Sequence, residues 1–329
     1  MGRCWVVTVG EFELIRRFFA AAPCAQASEA VALGIGDDCA LLNIPAGEQL
    51  AVSTDTLVVG VHFPLSCDPF LLGQRALAVA VSDLAAMGAT PLAFTLALTL
   101  DTAEPAWLHA FAAGLSQMAR TCRMALVGGD TTRGPLSLTL TVFGRVPVGQ
   151  ALTRSGARPG DLLCVGGVLG DAAGALPLVL GQREAPADQA EPLLRQYWSP
   201  LPQLELGELL RGKATAALDI SDGLLADCGH VARASAVALQ IEREQIPLST
   251  ALRLFAGEAA TDCALAGGDD YVLAFTLPEE HLVAVQAQWP AMQVIGRVLD
   301  GQGVQLVDGN GQLITPPRTG YQHFGNTDD

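Results

Sequence analysis

From Glu11 to Ala22 the apolar residues fall at positions 12, 14, 15, 18 and 19, the repeat of one helical face, and Pro23 closes the run. An amphipathic helix is therefore predicted near the start of the chain. Leu50–Val52 ahead of Ser53-Thr54-Asp55, and Met124–Val127 ahead of Gly128-Gly129-Asp130, read as strands that stop at small or acidic residues. Phe94–Leu100 and Leu136–Val146 alternate as two further strands, while Arg75–Met87 and Ala106–Arg120 return to the helical period. The first half is thus predicted to be mixed α+β.

Between Pro147 and Gly160 the pattern loosens into Gly, Pro and Arg, the composition of an interdomain connection. The expected domains are residues 1–150 and 151–329. The second begins with a strand at Asp161–Val165, a glycine loop and a helix from Asp171. Another strand-to-helix step spans Ala216–Ala234 around the acidic turn Asp219-Ile220-Ser221-Asp222-Gly223. The expected fold class is two-domain α+β / α/β, a mixed α+β domain followed by an α/β domain.

Composition narrows the classes of function. The chain has 329 residues, half of them apolar and 16% charged, which describes a globular protein and excludes a disordered or fibrous one. Acids outnumber Lys+Arg by 34 to 19, and the resulting charge of −15 repels nucleic-acid phosphates. Lys213 is the single lysine and Ala214 follows it, so there is no Walker A loop and no strand lysine of the protein-kinase type. Any bound phosphate must be held by metals, arginines or backbone amides. The eight cysteines are scattered without a CxxC pair and read as reduced thiols. The longest uncharged run, Leu84–Leu100, is broken by Gly88 and Pro91, and the opening residues lack a secretory pattern. A cytoplasmic protein without a membrane span is expected.

Seven aspartates, Asp37, Asp38, Asp55, Asp83, Asp130, Asp219 and Asp222, share one context, beside Gly, Ser, Thr or another Asp at the end of an apolar run. Each alone reads as a helix cap or a turn residue. Together they predict carboxylates converging on the rim of a sheet, a donor set of hard oxygens suited to Mg²⁺. Gly128-Gly129-Asp130-Thr131-Thr132 directly follows a strand and allows close approach of backbone to a phosphate. Gly166-Gly167-Val168-Leu169-Gly170 misses the dinucleotide pattern by one position and reads as a tight βα turn. His62 fits a general base, a phosphate contact or a packed core histidine, and taken alone the packed reading is the better one. Arg154 fits a phosphate clamp or a solvated arginine. Gly267-Gly268-Asp269-Asp270-Tyr271 fits either a polar ligand contact or a hairpin turn.

Nine segments in order, GEFELI (10–15), GIGDDCALL (34–42), STDTLVVGVHF (53–63), VSDLAAMGATP (81–91), VGGDTTRGPLS (127–137), LTRSGARPGD (152–161), LDISDGL (218–224), GGDDY (267–271) and GYQHF (320–324), closely resemble the thiamine-monophosphate kinase family. The resemblance runs nearly end to end. The wider superfamily, which resembles aminoimidazole ribonucleotide synthetase and selenophosphate synthetase, pairs through its N-terminal domains and builds its ATP site from acidic loops. The resemblance implies phosphorylation of thiamine monophosphate by ATP in a homodimer. Asp38, Ser53, Thr54, Asp55, Asp83, Asp130, Asp219 and Asp222 match magnesium ligands. Gly129, Asp130, Arg154 and Ser221 match nucleotide contacts, and His62, Asp269 and Tyr321 match substrate contacts. The N-terminal domain is then the ATP, magnesium and dimerisation domain, with the C-terminal domain contributing to the active-site cleft. Many relatives have Glu where Asp269 stands, and some have Trp where Tyr321 stands.

An acceptor that is itself a phosphate monoester arrives ionised, its second pKa being about 6, so neither a covalent nucleophile nor a strong general base is expected. Direct in-line transfer needs alignment and charge screening. The competing readings are an aminoimidazole ribonucleotide synthetase-like ligase and a metal-dependent dimeric binding protein without turnover. A selenophosphate synthetase requires an N-terminal lysine that residues 1–30 lack.

Overall fold

The computed structural model describes residues 11–26, 28–316, 318 and 320. The chain divides into two compact units, the first of residues 1–81 and 91–145, the second of residues 82–90 and 146–329.

In the first unit, α1 (Glu11–Leu14) runs on as a π-helical turn, Ile15–Ala20, which buries Phe18 and Phe19. A small ribbon, β1 (Val31–Leu33) against β2 (Leu41–Leu42), precedes the long strand β3 (Glu48–Val58). Then follow α2 (Pro69–Ala86), β4 (Thr90–Leu100), α3 (Pro105–Thr121), β5 (Ala125–Arg133) and β6 (Ser137–Pro147). The sheet order is β3-β6-β4-β5, with β4 parallel to β5. Thr54 pairs with Thr141 and Thr56 with Thr139 through hydroxyl contacts of 2.9 Å, so β3 and β6 run antiparallel. Helix α2 is buried continuously from Leu72 to Ser82 and takes the polar Gln74, Arg75 and Ser82 inside along with its apolar residues. Helix α3 buries the stripe Leu108, Phe111, Leu115 and Met118. The two helices touch backbone to backbone, since a methyl group at Gly114 would overlap the Phe70 carbonyl and one at Gly73 would lie 2.8 Å from the Leu115 nitrogen.

The second unit is built on a seven-stranded sheet. Its elements are β7 (Leu162–Val165), α4 (Asp171–Val179), α5 (Ala187–Trp198), α6 (Leu204–Leu210), β8 (Ala216–Asp219), α7 (Leu224–Ser235) and β9 (Ala238–Glu242), then α8 (Thr250–Ala256), α9 (Ala260–Ala266), β10 (Leu273–Leu277), α10 (Leu282–Gln288), β11 (Gln293–Leu299), β12 (Gly303–Val307) and β13 (Leu313–Ile314). The order is β13-β12-β9-β11-β7-β10-β8. Every pairing is antiparallel except β12 with β9. Strict alternation sends Leu163, Val165, Leu218 and Ala274 into one core and Leu162, Cys164, Ala217 and Phe275 into the other, so the sheet is buried on both faces. The second core also takes in Ala85 and Ala86 from the end of α2. That packing explains why residues 82–90 belong to this unit, a long excursion that a single division at residue 150 does not anticipate.

The strand ends differ from expectation in a way that matters for the site. Asp55 stands inside β3 and Asp130 inside β5, because both strands continue through their polar residues. Asp83 stands within α2, not at a strand end. Of the seven aspartates, Asp219 closes a strand, β8, and Asp222 follows it in the turn. A single rim of strand-end carboxylates is therefore not what the chain builds.

Candidate active site

The candidate residues fall into two groups, one in each unit. In the first unit, a cavity of about 660 Å³ has an apolar wall that includes Ile15, Phe19 and Val127, and an acidic rim of Asp37, Asp38 and Asp130. Gly129 lines it as well. At this position φ is +150°, and a methyl group would overlap the Leu96 carbonyl oxygen of the neighbouring strand β4, so only glycine fits. The Asp37 carboxylate accepts the Asp38 amide at 2.9 Å and steadies the acidic pair.

Ser53, Thr54, Asp55 and His62 do not line this cavity. Along β3 the side chains alternate, so Ser53 and Asp55 share one face and Thr54 takes the other, where its hydroxyl meets Thr141. The Thr54 side chain is thus separated from the Ser53 and Asp55 side chains. His62 sits in the turn after β3, half-buried. Its Nδ1 accepts the Val58 amide at 3.0 Å, which leaves the proton of the neutral ring on Nε2. The buried Arg75 lies against the His62 carbonyl oxygen, 3.5 Å away.

In the second unit, Asp219 is 7% exposed and accepts the Ser82 hydroxyl at 2.6 Å. Burial and then the neighbouring Asp83 push its pKa up to about 7, against the Ser82 bond. Two carboxylates held together this way fit a divalent cation, which would relieve both the burial and the repulsion. Among the described residues no three side chains of the metal-binding types are gathered tightly enough to form a cage. The carboxylates and the Ser82 hydroxyl are hard oxygen donors, a set that fits Mg²⁺ with waters and substrate oxygens completing its shell.

Ser221 and Asp222 occupy the turn between β8 and α7, with the Ser221 side chain exposed. The Ser221 carbonyl accepts the Asp269 amide at 2.8 Å, and the Ile220 carbonyl accepts the Tyr271 amide at 2.8 Å. This zips the acidic turn to the Gly267–Tyr271 segment, which joins α9 to β10 and is not a hairpin turn. Asp269 and Tyr271 take left-handed backbone angles, φ 62° and 50°, a strain that the two backbone bonds hold. The Tyr271 hydroxyl donates to the Asp269 carboxylate at 3.0 Å and orients it. Asp270 turns inward to accept the Gly170 amide at 2.7 Å, and burial raises its pKa well above the carboxylate range. Arg154 is exposed, and its segment is pinned to the end of α7 by Ser235, whose hydroxyl donates to the Arg154 carbonyl at 3.1 Å. His230 on α7 is shifted to a lower pKa by burial and then by Arg154 and Arg233, with Asp222 opposing, so the charges of Arg154 and Asp222 both reach His230. Tyr321 lies outside the described residues.

Known proteins share this architecture. Residues 36–146 match the family model described as AIR synthase related protein, N-terminal domain, and residues 158–309 match its C-terminal counterpart. Thiamine-monophosphate kinase of Escherichia coli (strain K12) is 45% identical over 322 residues, covering 96% of this chain and 98% of the relative. The chain belongs to the thiamine-monophosphate kinase family. A crystal structure of thiamine-monophosphate kinase from Stenotrophomonas maltophilia K279a matches with a TM-score of 0.81 at 46% identity, over 87% of this chain and 93% of that one. Another solved structure, AaThiL complexed with AMPPCP and TMP, matches with a TM-score of 0.76 at 32% identity, over 90% and 93% of the two chains. HypE of E. coli, a hydrogenase maturation protein, shares the fold at 21% identity.

Sequence reasoning about this thiamine-monophosphate kinase family member did not single out Asp227 or His230, and it gave Tyr271 no role in orienting Asp269. Asp227 and His230 sit in the helical stretch LLADCGHVARAS, where an acid and a histidine read as ordinary helix-surface residues. The only signal was proximity to the acidic turn.

Proposed function

We propose that the chain transfers the γ-phosphoryl group of ATP to thiamine monophosphate, giving thiamine diphosphate and ADP, by one in-line displacement assisted by several Mg²⁺ ions. The observation that carries the metal reading is the buried Asp219 held by Ser82 beside Asp83. The substrate reading rests on full-length relatives named for that activity.

In this reading Asp38, Asp55 and Asp130, the Ser53 hydroxyl and the Thr54 main-chain oxygen hold metal in the first unit. Asp83, Asp219 and Asp222 hold it in the second. Mg²⁺ held by these residues would supply charge screening for the phosphate groups. Gly129 lets the backbone approach the nucleotide, Arg154 and Ser221 contact its phosphates, and His62 offers its Nε2 proton to the acceptor phosphate. Asp269, aimed by Tyr271, faces a substrate that carries a fixed positive charge, and Tyr321 completes that contact. The chain acts as a cytoplasmic homodimer joined through its first unit, where Leu50 and Val52 on the edge strand β3 are 46% and 54% exposed.

Turnover in a coupled ADP-release assay with thiamine monophosphate tests the substrate. Chiral γ-thiophosphate ATP tests the chemistry: one displacement inverts the phosphorus, and net retention or a trapped phosphoenzyme sinks the direct route. Sedimentation of a monomer at micromolar concentration counts against the dimer.

A further inference from the structure

We infer that Asp227 is the positioning residue that shapes the nucleotide- and metal-facing turn. The inference rests on the function proposed above. One carboxylate oxygen, Oδ2, accepts three consecutive amides, those of Ser221 and Asp222 at 3.0 Å and of Gly223 at 3.1 Å. Asp227 is 4% exposed, so water does not compete for these bonds. It lies in the first turn of α7 yet reaches back over the helix start, where Gly223 provides no side-chain cap.

Three amides gathered on one oxygen curl the turn into a concave nest. The amides point inward, and the Ser221 side chain is left in solvent with Asp222 half-buried beside it. The same curl presents the Ser221 and Ile220 carbonyls to the amides of Asp269 and Tyr271. A methyl group at Gly268 would lie 2.5 Å from the Ser221 carbonyl oxygen, so the two segments are in direct contact. A single buried carboxylate thereby sets both the turn that carries Ser221 and Asp222 and the strained segment that carries Asp269.

The test compares Asp227→Ala with Asp227→Asn, which keeps the volume and one acceptor oxygen. Amide exchange at Ser221, Asp222 and Gly223 should accelerate at least about tenfold in Asp227→Ala, the loss expected for one charge-assisted bond, while the middle of α7 stays protected. Titration calorimetry with a nonhydrolysable ATP analogue and Mg²⁺ should show affinity down at least about tenfold, with KM for thiamine monophosphate raised as well. Asp227→Asn should recover part of both. If Asp227→Ala does not fold, Asp227→Asn must still show the faster exchange and a measurable loss of affinity. Asp308→Ala serves as the control, because Asp308 accepts the amides of Asn310 and Gln312 in the loop between β12 and β13. Its removal should leave nucleotide affinity unchanged. Faster exchange with unaltered nucleotide affinity and unaltered KM overturns the inference, as does an equal affinity loss in Asp308→Ala. Wild-type protein that binds no nucleotide refutes the proposed function instead, and the exchange measurement then still reports whether Asp227 shapes the turn.

Discussion

Replacing Asp219 with Asn should stabilise the metal-free protein and weaken its response to Mg²⁺. In the folded chain the Asp219 pKa is pushed from 3.8 to about 7. Between these values the native state holds a proton that the unfolded state has lost, so stability falls as pH rises through this window. Below about pH 4 both states are protonated and Asp219 costs nothing; above about pH 7 the cost is full. A rise of roughly three units corresponds to about 4 kcal/mol as an upper bound. Asn carries no charge and still accepts the Ser82 hydroxyl, so it should recover much of that cost. At pH 8 in chelator the variant should melt on the order of 5–10 °C higher than wild type. At pH 4 the two should melt together. Added Mg²⁺ should raise the melting temperature of wild type more than that of the variant, which keeps the other proposed ligands, while turnover of the variant collapses. Scanning calorimetry across pH, with and without Mg²⁺, reads all of this. A variant no more stable than wild type at pH 8, or a difference that is independent of pH, would refute the reasoning.

Three further outcomes are expected. Gly129→Ala should part β4 from β5 locally, costing about 1–3 kcal/mol by overpacking and raising the KM for ATP, read by thermal melts and steady-state kinetics. His62→Ala should raise the KM for thiamine monophosphate, or lower kcat with it, and leave calorimetric affinity for an ATP analogue nearly intact; a nucleotide loss as large as that of an Asp130 variant would reassign His62. Tyr271→Phe removes the hydroxyl that aims Asp269, so affinity for the acceptor should fall about three- to tenfold without a change in nucleotide affinity, and unchanged acceptor kinetics would contradict the orienting role.

Helix α3 and strand β4 were legible in the sequence because their apolar periods are long and uninterrupted. The apolar pattern of β3 and β5 ends where their polar residues begin, so the pattern alone predicts strands shorter than those the chain forms. The backbone ladder of a sheet does not depend on side-chain polarity, and Asp55 and Asp130 remain in strand because one face of each strand is not covered by core. The short helices α8, α9 and α10, of seven residues each, carry too little period to register against the surrounding loops. At the candidate site, sequence identified carboxylates by type and context. It missed the assignment of Thr54 to the opposite face of β3, which depends on strand continuity, and it missed Asp227, whose bonds run to backbone amides that have no signature in residue identity.

The passage of α2 out of the first unit bears on how this protein can be made in pieces. Ala85 and Ala86 sit in the second unit's core, the Gly207 backbone is so close to Ala85 that a side chain there would collide, and Arg211 donates to the Gly88 carbonyl at 2.5 Å. A gene fragment opened at codon 146 would therefore encode a polypeptide with a groove where a helix end belongs, exposing Leu206 and Leu210 to solvent. Such a fragment invites aggregation unless residues 82–90 are supplied as a peptide or grafted onto its start. Split reporters and domain swaps between relatives need cut points that respect that graft, and a clean exchange at the apparent linker would sever it.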